Sequence, residues 1–72
     1  MKHFSHEQIE MLKAIYPAGT RIELVRMEDS QAIQPGTKGT VTFIDDMGTI
    51  HMQWDDGRTL GLIPTVDIFR KL

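Results

Sequence analysis

Two short glycine-ended segments, Asp45-Asp46-Met47-Gly48 and Asp55-Asp56-Gly57, sit inside a stretch that otherwise alternates apolar and polar residues from Gly39 to Ile63. Glycine at the end of a tight turn supplies the positive φ that closes a hairpin, and alternation at period two puts one face of each strand indoors. The stretch therefore predicts a three-stranded meander. If the first turn has four residues and pairs Ile44 with Thr49, then Phe43 faces Ile50, Val41 faces Met52 and Gly39 faces Trp54. If the second has three residues and pairs Trp54 with Arg58, then Met52 faces Leu60 and Ile50 faces Leu62. Both registers send the same set inward: Val41, Phe43, Ile50, Met52, Trp54, Leu60 and Leu62. A slip of one residue would turn an apolar set toward water, so agreement between two independent turns is a strong constraint. The outward set is Thr40, Thr42, Ile44, Thr49, His51, Gln53, Thr59, Gly61 and Ile63, with Ile44 and Ile63 interrupting the polar face as neighbours that flank Thr49. Gly39 opposite Trp54 leaves bare backbone for the indole to cover.

Around this meander the other elements are short. Ser5 followed by Gln8 forms a capping box, Phe4 is placed to staple onto Ile9, and Ile9, Met11, Leu12, Ile15 and Tyr16 make an apolar stripe, so a helix is predicted from about His6 to Ile15. Pro17 ends it by forcing Tyr16 out of the α region, and Ala18-Gly19 turns the chain. A first strand starts near Thr20 with Ile22 and Leu24 alternating against Arg21 and Glu23 and ends near Met27. A loop from Glu28 to Gly36 contains the turn formers Asp29-Ser30 and Pro35-Gly36, and the second strand runs from about Lys38 to Ile44. Pro64-Thr65-Val66-Asp67 suits one tight helical turn before a last strand from Ile68 to Leu72. The resulting expectation is a mostly β fold, a small five-stranded SH3-like barrel over about residues 19–72 with one N-terminal α-helix. Closure would remove exposed sheet edges. The runner-up is an open sheet with the helix across one face.

A chain of 72 residues is sized for one domain, residues 1–72, and its 40% hydrophobic and 25% charged content is that of an ordinary globular protein. The absence of cysteine removes disulfides and thiolate zinc sites and makes a cytoplasmic location the default expectation. No apolar run approaches the roughly 20 residues that span a bilayer, and the first residues lack the apolar centre of a secretory signal. Net charge is −2, with Lys and Arg spread singly apart from Arg70-Lys71, which argues against a domain devoted to gripping phosphates.

Several segments together resemble a known family. They are Tyr16-Pro17-Ala18-Gly19-Thr20-Arg21-Ile22-Glu23-Leu24, Pro35-Gly36-Thr37-Lys38-Gly39-Thr40-Val41, the run from Asp46 to Gly57, and Leu60-Gly61-Leu62-Ile63-Pro64 with Asp67. From Tyr16 onward the chain is similar to the small bacterial domain of unknown function 4314. Ala18 stands where members often carry a second proline, and Thr65 where they tend to carry glycine. The resemblance implies a fold found in phage and mobile-element gene neighbourhoods, with no catalytic positions to carry over. A looser similarity to the SH3-like modules of ribosomal and transcription proteins is shared by unrelated functions.

Chemistry-bearing residues are few. His3, His6, Glu7 and Glu10 could suggest a metal site, but zinc needs about four well-fixed ligands and these sit on a solvated helix start. The aspartate pairs lack the alternating oxygen ligands of a calcium loop and suit hairpin turns. His51 with Thr42 across the strands reads as a polar pair without an oxyanion donor, and inward Trp54 reads as core. No catalytic residue, metal or cofactor is expected. Two readings of function remain: a protein-interaction module that docks on an unknown partner or on itself through the helix stripe or the surface around Ile44, Thr49 and Ile63, and, second, a nucleic-acid-binding domain using Arg26, Lys38, Arg58, Arg70 and Lys71 with His51, Gln53 and outward threonines such as Thr42.

Overall fold

The computed structural model describes residues 4–29 and 31–72. His3, considered as a metal ligand, and Ser30 of the expected turn lie outside the described residues. The elements are α1 (His6–Ile15), β1 (Arg21–Arg26), β2 (Lys38–Ile44), β3 (Ile50–Trp54) and β4 (Ile68–Lys71).

The helix begins as its sequence dictates. Ser5 is extended, its hydroxyl accepts the Gln8 N–H at 3.1 Å, and the Gln8 side chain accepts the Ser5 N–H at 2.7 Å, which satisfies two otherwise orphaned donors. Phe4 and Ile9 line one cleft, and the Phe4 ring lies directly over Gly48, tying the helix start to the β2–β3 turn. The buried stripe is narrower than expected. Ile9 is buried and Leu12 and Tyr16 pack on the core, whereas Met11 and Ile15 stand in solvent, because α1 packs its backbone mainly along β2. At the other end Lys71 donates to the Ile15 carbonyl at 2.9 Å, and Tyr16 sits edge-on to Phe69 with ring centroids 5.6 Å apart.

The four strands form one antiparallel sheet in the order β3-β2-β1-β4. Its single apolar face carries Ile22, Leu24, Val41, Ile50, Met52 and Trp54, joined by Leu62 and by Ile33 from the β1–β2 loop. Fully burying a side chain of this kind is worth roughly 1.5–3 kcal/mol relative to leaving it exposed, so this face dominates the stability of the fold.

The structure corrects two expectations. First, the sheet is open rather than closed into a barrel, and the expected fourth strand of five is reduced to one bridge, Ile50 to Leu62, with N–H···O distances of 2.9 Å in both directions. The turn at Asp55-Asp56-Gly57 pairs Trp54 with Arg58 as the sequence predicts, with Trp54 N–H on the Arg58 carbonyl at 2.8 Å. Between those two points the ladder fails for a physical reason. The Leu60 carbonyl, which a regular strand would offer to Met52, accepts the indole N–H of Trp54 at 2.7 Å. A buried indole donor must find an acceptor, and it finds this one.

Second, the β2–β3 hairpin carries a bulge. Gly39 faces Trp54 and Val41 faces Met52 as expected, but beyond Val41 the register shifts, so that Phe43 faces His51 and Ile44 faces Ile50. The turn itself closes on Asp45 and Thr49, with Asp45 N–H on the Thr49 carbonyl at 3.1 Å, not on Ile44 and Thr49. In consequence Phe43, expected inward, is 55% exposed on the face opposite Trp54, and Ile44, expected outward, is 7% exposed. An extra residue in one strand displaces the remainder of that strand by one position, which exchanges the two side chains.

The bulge sets an order of energies that unfolding can check. Ile44→Ala should destabilise the protein by about 2–5 kcal/mol and Phe43→Ala by less than about 1 kcal/mol in urea unfolding; a regular hairpin would reverse that order. At Gly39 an added Cβ would lie 2.7 Å from Trp54 Cε3 and 3.1 Å from the Gln53 carbonyl oxygen. Gly39→Ala should therefore cost about 1–3 kcal/mol by the same measurement, through displacement of a fully buried ring.

Candidate functional site

The residues that the sequence singles out are placed by the β2–β3 hairpin and by the segment that returns across it. Asp45 organises the hairpin tip. Its Oδ1 accepts the N–H of Met47 at 2.9 Å and of Thr49 at 3.0 Å, and its Oδ2 lies 2.8 Å from His51 Nε2. The imidazole stacks on Phe43 with centroids 4.2 Å apart and planes 5° from parallel. One carboxylate thus shapes the turn, orients the histidine and provides the aromatic pair with a fixed base. The hydrogen bond from His51 is the main reason that the Asp45 carboxyl titrates below the usual aspartate range, with the Thr49 and Met47 amides adding to it and desolvation opposing it. Neither Asp45 nor Phe43 is among the residues expected at a site; the sequence signal for Asp45 was an aspartate opening a turn that ends in glycine, where its side chain can cap the following amides.

The expected apolar surface of Ile44, Thr49 and Ile63 is not assembled. Ile44 is buried, Thr49 is half-buried with its methyl group against Gly61, and Ile63 is exposed. The three residues line three different clefts, because the bulge withdraws Ile44 from the outer face. Thr42 does not pair with the imidazole; its hydroxyl donates to the His51 carbonyl at 3.0 Å. Gln53 stands exposed on the outer face opposite Thr40.

Most of the expected phosphate-gripping cations have partners within the chain. Arg26 pairs with Glu28, Arg70 with Glu23 at 2.7 Å across β1 and β4, and Arg58 donates to the carbonyls of Gln31 and, at 3.1 Å, Ala32, holding the β1–β2 loop in place. Lys71 caps the C-terminal end of α1. Among the described residues Lys38 makes no ion pair or side-chain hydrogen bond. Arg21, not singled out from the sequence, forms a forked pair with Asp55 at 2.8 and 2.6 Å and also donates to Thr40 at 2.9 Å. That hydrogen bonding depresses the Asp55 carboxyl.

The surface carries two apolar clefts of interest. One, about 380 Å³, runs between the end of α1 and β2 and is lined by Lys13, Tyr16, Pro17 and Phe43 among others. The other, about 220 Å³, lies between the Met27–Asp29 segment and the turn that follows Leu60. Among the described residues no group of three or more His, Asp or Glu side chains is gathered to hold a metal ion, and no helix is long and apolar enough to cross a membrane.

A four-stranded antiparallel sheet with one capped helix, bearing apolar clefts and self-paired charges, defines a small mostly β domain. The chain belongs to the family called domain of unknown function (DUF4314), whose model matches residues 5–72 and so takes in the helix as well as the sheet. No curated protein and no solved structure matches it.

The depressed Asp45 carboxyl has a defined consequence. Above about pH 5 it is ionised in both folded and unfolded chains and its contribution to stability is complete; as pH falls below the ordinary value of about 3.9 the unfolded chain takes up the proton first, and the contribution is lost on approach to the folded value. Asp45→Asn keeps a side-chain acceptor for the turn amides and should flatten the fall of melting temperature with acid in that window, as followed by circular dichroism. Asp55, which Arg21 also holds below the usual range, keeps its own acid dependence in that variant.

Proposed function

We propose that this chain is a small non-enzymatic binding module that docks on a protein partner, acting in the cytoplasm of a bacterial cell and carried by a phage or mobile element. We read its strand order, with the Leu62 bridge standing beside β3 in place of a further strand, as an SH3-like arrangement in which loops and turns present the contact surface. The observation that carries the reading is the division of labour on the surface. Arg26, Arg58, Arg70 and Lys71 are engaged by acceptors of the chain itself, while Phe43, Ile63 and Val66 are left in solvent beside apolar clefts. Cations already paired have little to gain from a phosphate, whereas exposed apolar side chains around a concavity gain from being covered.

Nucleic acid is the second reading, supported by Lys38 and by Gln53 and Thr40 on the outer face of β2 and β3. Ionic strength separates the two. Even three phosphate contacts would weaken binding about fortyfold between roughly 50 and 200 mM salt. Titration of single- and double-stranded DNA and RNA at both salt concentrations should show no such steep binding, and pull-down from a native host should retain a protein partner at the higher salt. Steeply salt-dependent binding to an oligonucleotide would overturn the protein-partner reading.

A further inference from the structure

The smaller cleft is built differently from the rest of the surface. Its floor is Met27 and Leu60, both half-buried and packed against the core, and its walls are Ile63, 45% exposed, and Val66, 60% exposed. At about 220 Å³ it has room for an aliphatic side chain and not for a helix. The walls are held in place before anything binds. Val66 and Asp67 N–H groups both donate to the Ile63 carbonyl, at 2.9 and 2.8 Å, and the Asp67 carboxylate accepts the Ile63 N–H at 2.8 Å. A rigid wall loses little freedom on binding, so more of the contact energy becomes affinity.

The charged side chains that line the cleft are all acidic. Glu28, Asp29 and Asp67 are lining residues, and no Lys or Arg is. Glu28 is neutralised by Arg26, but Asp29 and Asp67 make no ion pair among the described residues. An aliphatic hole with uncompensated carboxylates at its mouth favours an occupant of matching shape and opposite charge and disfavours acidic chains and polyphosphates. We propose that this cleft is a docking site for a partner segment that inserts an aliphatic side chain flanked by lysine or arginine. The inference rests on the protein-partner reading and gives that partner its chemistry.

The test uses the full chain, labelled with nitrogen-15, and amide chemical shifts. Three probes are titrated: a short peptide with a central leucine flanked by lysines, the same peptide flanked by glutamates, and a lysine-flanked peptide with glycine in place of leucine. The lysine-leucine peptide should shift the amides of Met27, Glu28, Asp29, Ile63 and Asp67 and bind about tenfold more tightly than either control. Val66→Ser should weaken it about tenfold, and Asp29→Asn about threefold with steeper loss at low salt. Both positions are exposed, so melting temperatures should stay within a few degrees of the parent. No preference for the lysine-leucine peptide, or no shift at millimolar peptide, overturns the site. Shifts confined to the surface around Phe43 overturn the site and leave the protein-partner reading standing. Concentration-dependent dimerisation that protects Val66 overturns it in favour of a second copy of the chain, and steeply salt-dependent oligonucleotide binding overturns both readings.

Discussion

The indole of Trp54 joins β2, the turn after β3 and the segment that returns from it. Its ring lies against the bare backbone of Gly39 on β2, its own backbone closes the turn with Arg58, and its N–H is held by the Leu60 carbonyl. The first contact requires a residue with no side chain, and the last requires a carbonyl that turns away from its neighbouring strand. Both follow from placing the largest side chain of the core where only 1% of it reaches water. Because the Leu60 carbonyl serves the indole, the return segment pairs with β3 at Leu62 and nowhere between. Beyond Leu62, Ile63 and Val66 stand in solvent and line a cleft with Met27.

The second organising interaction is polar. Asp45 accepts two amides of its own turn and holds His51, which fixes the loop at the length that needs a bulge in β2. The bulge exchanges Ile44 for Phe43 in the core. Exposing a phenyl ring forfeits burial free energy, and its stacking on His51 returns part of it, since an aromatic pair contributes about 0.5–1.5 kcal/mol beyond the area it covers. Bulges are used elsewhere to re-aim a side chain. Here the side chain re-aimed is the largest apolar group on the outer face of the hairpin.

Charge on this surface is mostly satisfied internally. Arg21 reaches across β2 to Asp55, Arg70 with Glu23 joins β4 to β1, and Arg58 with the loop carbonyls ties the long β1–β2 loop to the return segment. Exposed pairs of this kind contribute little to stability individually. Their larger effect is positional, since each fixes the side chains of two segments relative to one another. Of the carboxylates that make no ion pair among the described residues, Asp29 and Asp67 line the Met27–Val66 cleft.

Much of the architecture was legible in the residues. The capping box of Ser5 and Gln8, the stop at Pro17, the span of β2 and the pairing of Gly39 with Trp54 all follow from local rules of donors, φ angles and alternation, which act over a few residues and need no knowledge of the rest of the chain. The site was less legible. Ile44, Thr49 and Ile63 were expected together, and the chain disperses them; Phe43, Asp45, Met27 and Val66 were not expected at a surface site. The first turn was expected to close on Ile44 and Thr49, and alternation cannot register a bulge that moves the closure to Asp45. The sequence by itself determined the elements, their order and which residues seek shelter from water. Only the tertiary structure decided that the indole would claim the Leu60 carbonyl and that the sheet would stay open, because competition for one buried acceptor is settled between segments brought together by folding.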